Sequence, residues 1–209
     1  DGRRVFALPM ATASRDPAWL ALDRPSFRDW LLAEGYTAPS LHWLANYACR
    51  DDYGTDYART SAWAGLHYFA CRDGEAANAL PDTVITAPDG NAWLMRALLK
   101  SASERLLTDA FVWRLESRKQ GLTVDVLHDG KTLRIEARQV IWAAPHFILP
   151  KVWVNAPAGL PGMVEGLSYA PWLVANLHLS ARPMERHGAS PAWDNVLFDS
   201  AGLGYVDAQ

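Results

Sequence analysis

LTVDVLHDGKTLRIEARQVIWAAP, residues 122–145, decides how the chain reads. Its first two segments alternate. Val124 and Val126 are set against Thr123 and Asp125, and Leu133, Ile135 and Ala137 against Arg134, Glu136 and Arg138. Side chains of a strand point to opposite faces in turn, so this period of two predicts a sheet with one face in water. Asp129-Gly130 lies between the segments and suits the tight turn of a hairpin. The third segment, Gln139 to Ala144, does not alternate and is apolar almost throughout. A continuous apolar run marks a strand covered on both faces, as in a parallel sheet flanked by helices. The rest of the sequence cannot assemble such a sheet, so the neighbours of this strand are expected to come from elsewhere. The alternative is a strand of an ordinary mixed sheet, covered by the helix that starts at Asn91.

Outward from this stretch, the first half reads as mostly helical. DRPSFRDWLLAEG (23–35) has Asp23 as a cap, Pro25 in the first turn and Gly35 past the end. A second helix is predicted from Ser40 to about Arg50, DDYGTDYARTS as a polar loop, and a third helix opening at Ser61. TVITAP (83–88) reads as a short strand, followed by a turn at Asp89-Gly90. A helix then carries Trp93, Leu94, Ala97 and Leu98 on one face, and FVWRLESR is a strand. Beyond Pro145 come a helical turn and an extended piece, a strand from Trp172 to Leu179, and a hairpin around Ala201-Gly202. The fold class is α+β, with helical segments and a mixed or antiparallel sheet.

Bulk properties exclude some partners. The 209 residues carry a formal net charge of −3 and no basic run longer than two residues, so the clustered Lys and Arg that bind phosphate backbones are missing. Nucleic acid is not an expected partner. No apolar run is long enough for a membrane-spanning helix, and a soluble chain of the cytoplasm or periplasm is expected. The start at Asp1-Gly2, without Met, reads as a processed end or an internal piece. Ten tryptophans are expected chiefly in a thick core, with an aromatic-lined cavity as the other option. Cys49 and Cys71 could be a thiol pair, a disulfide or unrelated, and are read as two inert buried thiols. No CxxC or HExxH occurs, and no metal site is expected.

The order helix GNAWLMRALLK, strand FVWRLE, hairpin LTVDVLHDGKTLRIEA and apolar strand QVIWAAP resembles the flavin-containing amine oxidase superfamily. That superfamily includes monoamine oxidases, protoporphyrinogen oxidases and phytoene desaturases. The resemblance covers residues 84–154. It implies FAD as cofactor, with Val112 at the position whose backbone meets adenine and Ala143, Ala144 and Pro145 at a strand end near the cofactor. It implies a substrate-domain portion over 1–83, an FAD-domain type segment over 84–150 with one strand returning to a Rossmann-type sheet, and substrate-domain strands over 151–209. The implied reaction is oxidation of a small organic substrate by hydride transfer to flavin. The strand–GxGxxG–helix that holds the FAD pyrophosphate is not present in these residues, so the chain by itself is expected to bind no FAD and to be inactive. Where many members carry a lysine near the flavin, this sequence has Ala175 or Asn176, which makes desaturase or dehydrogenase chemistry as possible as amine oxidation.

Trp172, Asn176 and Trp193 are the candidate substrate-pocket residues. His67, His146 and His178 are further candidates, each set against a structural or solvated role. No nucleophile motif such as GxSxG occurs, as suits chemistry done by a cofactor, and no catalytic side chain is assigned. Self-association through unpaired sheet surface is a further expectation. The reading from another class is a non-catalytic α+β binding or assembly module with a Trp-rich groove.

Overall fold

Side-chain oxygens start three of the N-terminal helices by accepting backbone N–H groups that the first turn leaves free. Asp16 accepts from Ala18 at 3.0 Å and opens α1 (Pro17–Leu20). Ser26 accepts from Asp29 at 3.1 Å and opens α2 (Phe27–Ala33). α3 (Pro39–Tyr53) begins with proline in its first turn and ends at Gly54, whose φ of 65° places it in the left-handed region that glycine adopts freely. Ser61 accepts from Ala64 at 3.2 Å and opens α4 (Ala62–Ala70), as its position predicted. This computed structural model describes residues 1–72, 87, 89–181, 184, 187–188 and 192–207, and it divides into two compact units, Asp1–Pro81 with Tyr169–Gln209, and Asp82–Ser168.

Two expectations in the first unit are corrected. The cap of α2 is Ser26, not Asp23, which closes a separate 3-10 turn. The chain at Pro25 and Phe27 is engaged elsewhere: Pro25 O accepts from Ala62 N–H and Phe27 N–H donates to Thr60 O. The helix can therefore begin only after Ser26. α3 also runs three residues past Arg50, so Asp51, Asp52 and Tyr53 stand on its last turn rather than in a loop. Phe27, Leu31, Ala45 and Cys49 form the core of this unit, with Trp30, Leu41, Tyr57 and Leu66 partly buried against it. Cys49 and Cys71 are buried free thiols.

In the second unit α5 (Ala92–Leu99) precedes a three-stranded antiparallel sheet in the order β1-β2-β3: β1 (Phe111–Ser117), β2 (Leu122–His128) and β3 (Lys131–Ala137). Asp129 and Gly130 have φ of 50° and 69°, the two positive values that a twist-matched hairpin turn requires. His128 pairs with Lys131 on either side of it. Leu115, Val124 and Val126 from one face of the sheet pack on Leu149 and Val152 of α6 (Leu149–Val152) and on Leu160 and Val164 of α7 (Leu160–Glu165). The segment after α6 is fastened to β1: Val154 N–H donates to Leu115 O at 3.0 Å, Trp153 Nε1 to Ser117 Oγ at 3.0 Å, and Asn155 exchanges two hydrogen bonds with the Ser117 backbone.

The sheet departs from simple alternation on its other face. Thr123 and Asp125 were expected in water, and both are buried, Asp125 to 1% exposure. They belong to the central strand, and the long side chains of Arg114 and Arg134 on the flanking strands reach over Asp125. The third segment is corrected as well. Gln139 to Ala144 forms no strand and joins no ladder among the described residues. Val140 and Trp142 pack partly on the core, whereas Ile141 is 92% exposed. The apolar stripe of α5 is also uncovered, with Trp93, Leu94 and Leu98 exposed.

The chain then re-enters the first unit. Trp172 to Leu179, expected as a strand, has no regular structure and is exposed along its length. The last predicted hairpin is present in short form, β4 (Asp194–Asn195) antiparallel to β5 (Tyr205–Val206). None of the ten tryptophans falls in the buried class, contrary to the thick core their number predicted. Trp30, Trp142 and Trp153 lie at the margins of the two cores, Trp43 and Trp63 are half-buried against other rings, and Trp19, Trp93, Trp113, Trp172 and Trp193 are exposed. The expected strand at 83–88 lies outside the described residues, apart from Ala87. No helix among the described residues is long and apolar enough to cross a membrane. The fold is α+β.

Candidate functional site

The residues assigned to a cofactor lie in the second unit. Val112 sits on β1 opposite Val126, next to an irregularity in register between Val112 and Arg114, and packs partly buried on the sheet core. Val140 and Trp142 pack on that same core, so the chain that leads into Ala143, Ala144 and Pro145 is anchored to it. Those three residues are exposed. Trp142 Nε1 donates to Pro145 O at 3.3 Å, which bends the segment locally before His146 begins a 3-10 turn.

The resemblance assigns these residues to FAD, and among the described residues they do not by themselves make a site for it. Val112 and the 143–145 segment offer backbone and apolar contacts of the kind an adenine or a flavin edge accepts. A pyrophosphate asks for several backbone N–H groups at a glycine-rich turn and a helix start. At the start of α5 the acidic Asp89 already pairs with Arg96, so negative charge occupies the place where a phosphate would be held. The described residues of this unit supply no phosphate cradle.

The polar face of the sheet carries a charge network. Arg134 Nε and a terminal nitrogen donate to the two Asp125 oxygens at 2.7 and 2.9 Å, and Arg114 approaches the same carboxylate at 3.4 Å. Glu116 pairs with Arg114 at 2.6 Å and with Arg118 at 2.9 Å. The hydrogen bonds from Arg134 hold Asp125 below the usual carboxylate range, with Arg114 adding to the effect. An open recess of about 520 Å³ beside this network is lined by Arg118, Arg134, Arg138, Glu136 and Thr123. Two of its three arginines are already paired, and Arg138 faces a wall that also holds Glu136, so the network fastens the sheet rather than presenting a concentrated charge.

The substrate-pocket candidates lie in the first unit. Trp172, Asn176 and Trp193 are all exposed, and no hydrogen bond or ring contact among the described residues joins them. His178 is exposed on the same irregular segment as Asn176, and His146 is exposed in the second unit. His67 has a structural place: its Nε2 meets Ala7 O at 3.1 Å and its ring stacks on Trp63 at 5.0 Å.

One grouping escaped the sequence reading. Trp43, Tyr47 and Asp51 recur every four residues along α3 and so share one face of it. Trp43 stacks on Tyr47 at 5.5 Å and meets Phe198 at 4.8 Å. Arg72 pairs with Asp52 at 2.8 Å and lies 4.1 Å over the Tyr68 ring. Burial, and then Asp194 and Asp51, push the Tyr47 phenol up to about 12. Burial, and then Asp194 and Asp52, raise the Asp51 carboxyl. The signal in the sequence is the i, i+4 spacing, which the polar run from Asp51 onward masks by reading as a loop.

No protein-family model matches the chain. The chain is 25% identical over 136 residues to the oxidoreductase PigB of Serratia sp. (strain ATCC 39006); the match takes in 63% of this chain and 19% of that protein. The chain is thus distantly similar to an oxidoreductase and spans about a fifth of its length.

Proposed function

We propose that this chain is the interior portion of an FAD-dependent oxidoreductase of the amine oxidase type, which oxidises a small organic substrate by hydride transfer to flavin. In this reading 84–150 is the segment that returns to the FAD domain, and 1–83 and 151–209 belong to the substrate domain. The observation that carries it is the second unit: a three-stranded antiparallel sheet followed directly by an apolar segment that is anchored to the core and joins no ladder among the described residues. Similarity to an oxidoreductase several times longer supports the same reading. Val112, Ala143, Ala144 and Pro145 would contact the cofactor, and Trp172, Asn176 and Trp193 the substrate. The phosphate-binding turn would be supplied by residues outside this sequence. The cofactor would carry out the redox chemistry, and the protein would supply shape and orientation.

The test is to purify the whole gene product, denature it and analyse the released small molecules by chromatography. Stoichiometric FAD is the expected result. A folded protein that releases no flavin would favour a binding module with exposed tryptophans instead.

A further inference from the structure

In the first unit the stretch 193–207 folds back on itself. β4 pairs with β5, and Asp207 N–H donates to Trp193 O at 3.0 Å. This hairpin is seated on one face of α3. Phe198 meets the Trp43 ring at 4.8 Å, the Tyr47 hydroxyl donates to Leu203 O at 3.4 Å, and Arg50 donates to Ala201 O. Trp43, Tyr47 and Arg50 are four and three positions apart, so the contacts come from successive turns of the helix. Within 193–207 no residue is buried. The seat is therefore a few surface contacts, and segments held in this way open locally while the core stays folded. A like-charge contact works against the seat. Asp51, one turn beyond Tyr47, faces Asp194 of the hairpin and Asp52 of its own helix. Arg72, past the end of α4, also acts on Asp51, but it is paired with Asp52 at 2.8 Å and lies over the Tyr68 ring. Tyr47 and Tyr68 complete the surroundings, and the Tyr47 phenol, pushed up to about 12, stays protonated at neutral and acid pH.

We infer that the 193–207 hairpin is a strap whose seat on α3 tightens in acid, because a proton taken from solvent by Asp51 removes its repulsion with Asp194. Burial, and then Asp194 and Asp52, raise the Asp51 carboxyl while the strap is seated. Lifting the strap removes Asp194 and lets water reach Asp51, so the lifted form holds that proton less strongly. The form that holds the proton more strongly is favoured as pH falls. Arg50 and Tyr47 supply the anchors, and Asp51 supplies the pH response. The strap carries Trp193, so its seating fixes where that indole stands against α3. The inference needs no flavin and stands apart from the proposed reaction.

Backbone amide exchange of the whole gene product, read by mass spectrometry at pH 7 and pH 5 and corrected for the intrinsic rate at each pH, tests this. Peptides covering 193–207 are followed, with α2 (Phe27–Ala33) as the reference from the core of the same unit. Protection of the strap should rise at least threefold from pH 7 to pH 5, and by more than that of α2. Asp51→Asn should show the higher protection already at pH 7 and lose the rise, whereas Asp51→Glu should keep it. Asp194→Asn should gain at pH 7 as well, and the double variant should gain less than the two single gains combined, because both remove one repulsion. Arg50→Gln should lower protection at both pH values. A flat wild-type profile overturns the inference, as does an undiminished rise in Asp51→Asn, full additivity in the double variant or unchanged protection in Arg50→Gln. Equal rises in the strap and α2 would assign the effect to the whole unit and overturn it too.

Discussion

Arg134 grips Asp125 from the neighbouring strand with two parallel hydrogen bonds of 2.7 and 2.9 Å, and the two residues are direct cross-strand partners. Planar two-point pairing of this kind is the strong form of the arginine–carboxylate contact. Because the carboxyl is held below its ordinary range, the folded protein releases that proton more readily than the unfolded chain. The resulting stability is fully present above the unfolded carboxylate value and is lost as pH falls through the lower folded value. Asp125→Asn should therefore melt at lower temperature at pH 7 and lose part of its acid sensitivity. Thermal melts of both proteins from pH 7 into the acid range check this, with Glu136→Gln as an exposed comparison. Parallel curves for wild type and Asp125→Asn would contradict it.

Asp51 has the opposite sign. Burial and the nearby Asp194 and Asp52 raise its carboxyl, so its ionised form is less favourable in the folded state than in the unfolded one. That penalty is present at neutral pH and is relieved as pH falls through the raised folded value. Asp51→Asn should be more stable than wild type at pH 7, and the difference should shrink toward acid. Urea titrations at two pH values measure it, and a variant less stable at pH 7 would refute the electrostatic account.

Gly65 in α4 lies so close to Phe27 that a Cβ there would come within 2.2 Å of the ring. The ring belongs to the core of the first unit and has little room to move. Gly65→Ala should cost about 1–3 kcal/mol through overpacking. Gly159→Ala, where a Cβ meets nothing within 4 Å, is the control and should stay near neutral. Equal denaturation midpoints for the two variants would show that the helix contact yields freely.

Local chemistry was readable where neighbours in sequence decide it. The Asp129-Gly130 turn, the register of its arms and the cap at Ser61 depend on a few adjacent residues. Ser26 was missed because Pro25 looked like a first-turn residue, whereas its carbonyl is taken by Ala62, thirty-seven positions on. α7 is too short for a helical period to show in the sequence, although Pro161 at its head suits a helix start. Burial of Asp125 depends on two arginines that arrive from different strands, and alternation along one strand carries no sign of them. The apolar run at 139–144 stands out in the sequence, but that it joins no ladder among the described residues depends on the backbone path and not on the run's composition.

Substitutions at the assigned cofactor contacts separate binding from folding. Ala144→Glu in the whole protein is expected to lower flavin content at least tenfold, and an unchanged circular dichroism spectrum assigns the loss to binding rather than folding. Circular dichroism and flavin-to-protein ratio, read on the same sample, check both halves. Full flavin content in Ala144→Glu would move the cofactor away from this segment.

The most direct measurement compares the whole gene product with the isolated chain in one FAD titration, followed by visible absorbance and flavin fluorescence. The phosphate site is assigned to residues outside this chain, and losing several charge-assisted hydrogen bonds at about 1.5–3 kcal/mol each weakens binding by orders of magnitude. The whole protein should be yellow and hold FAD, while the isolated chain shows no saturable binding at micromolar FAD. A colourless, folded whole protein would contradict the account, and so would saturable micromolar binding by the isolated chain.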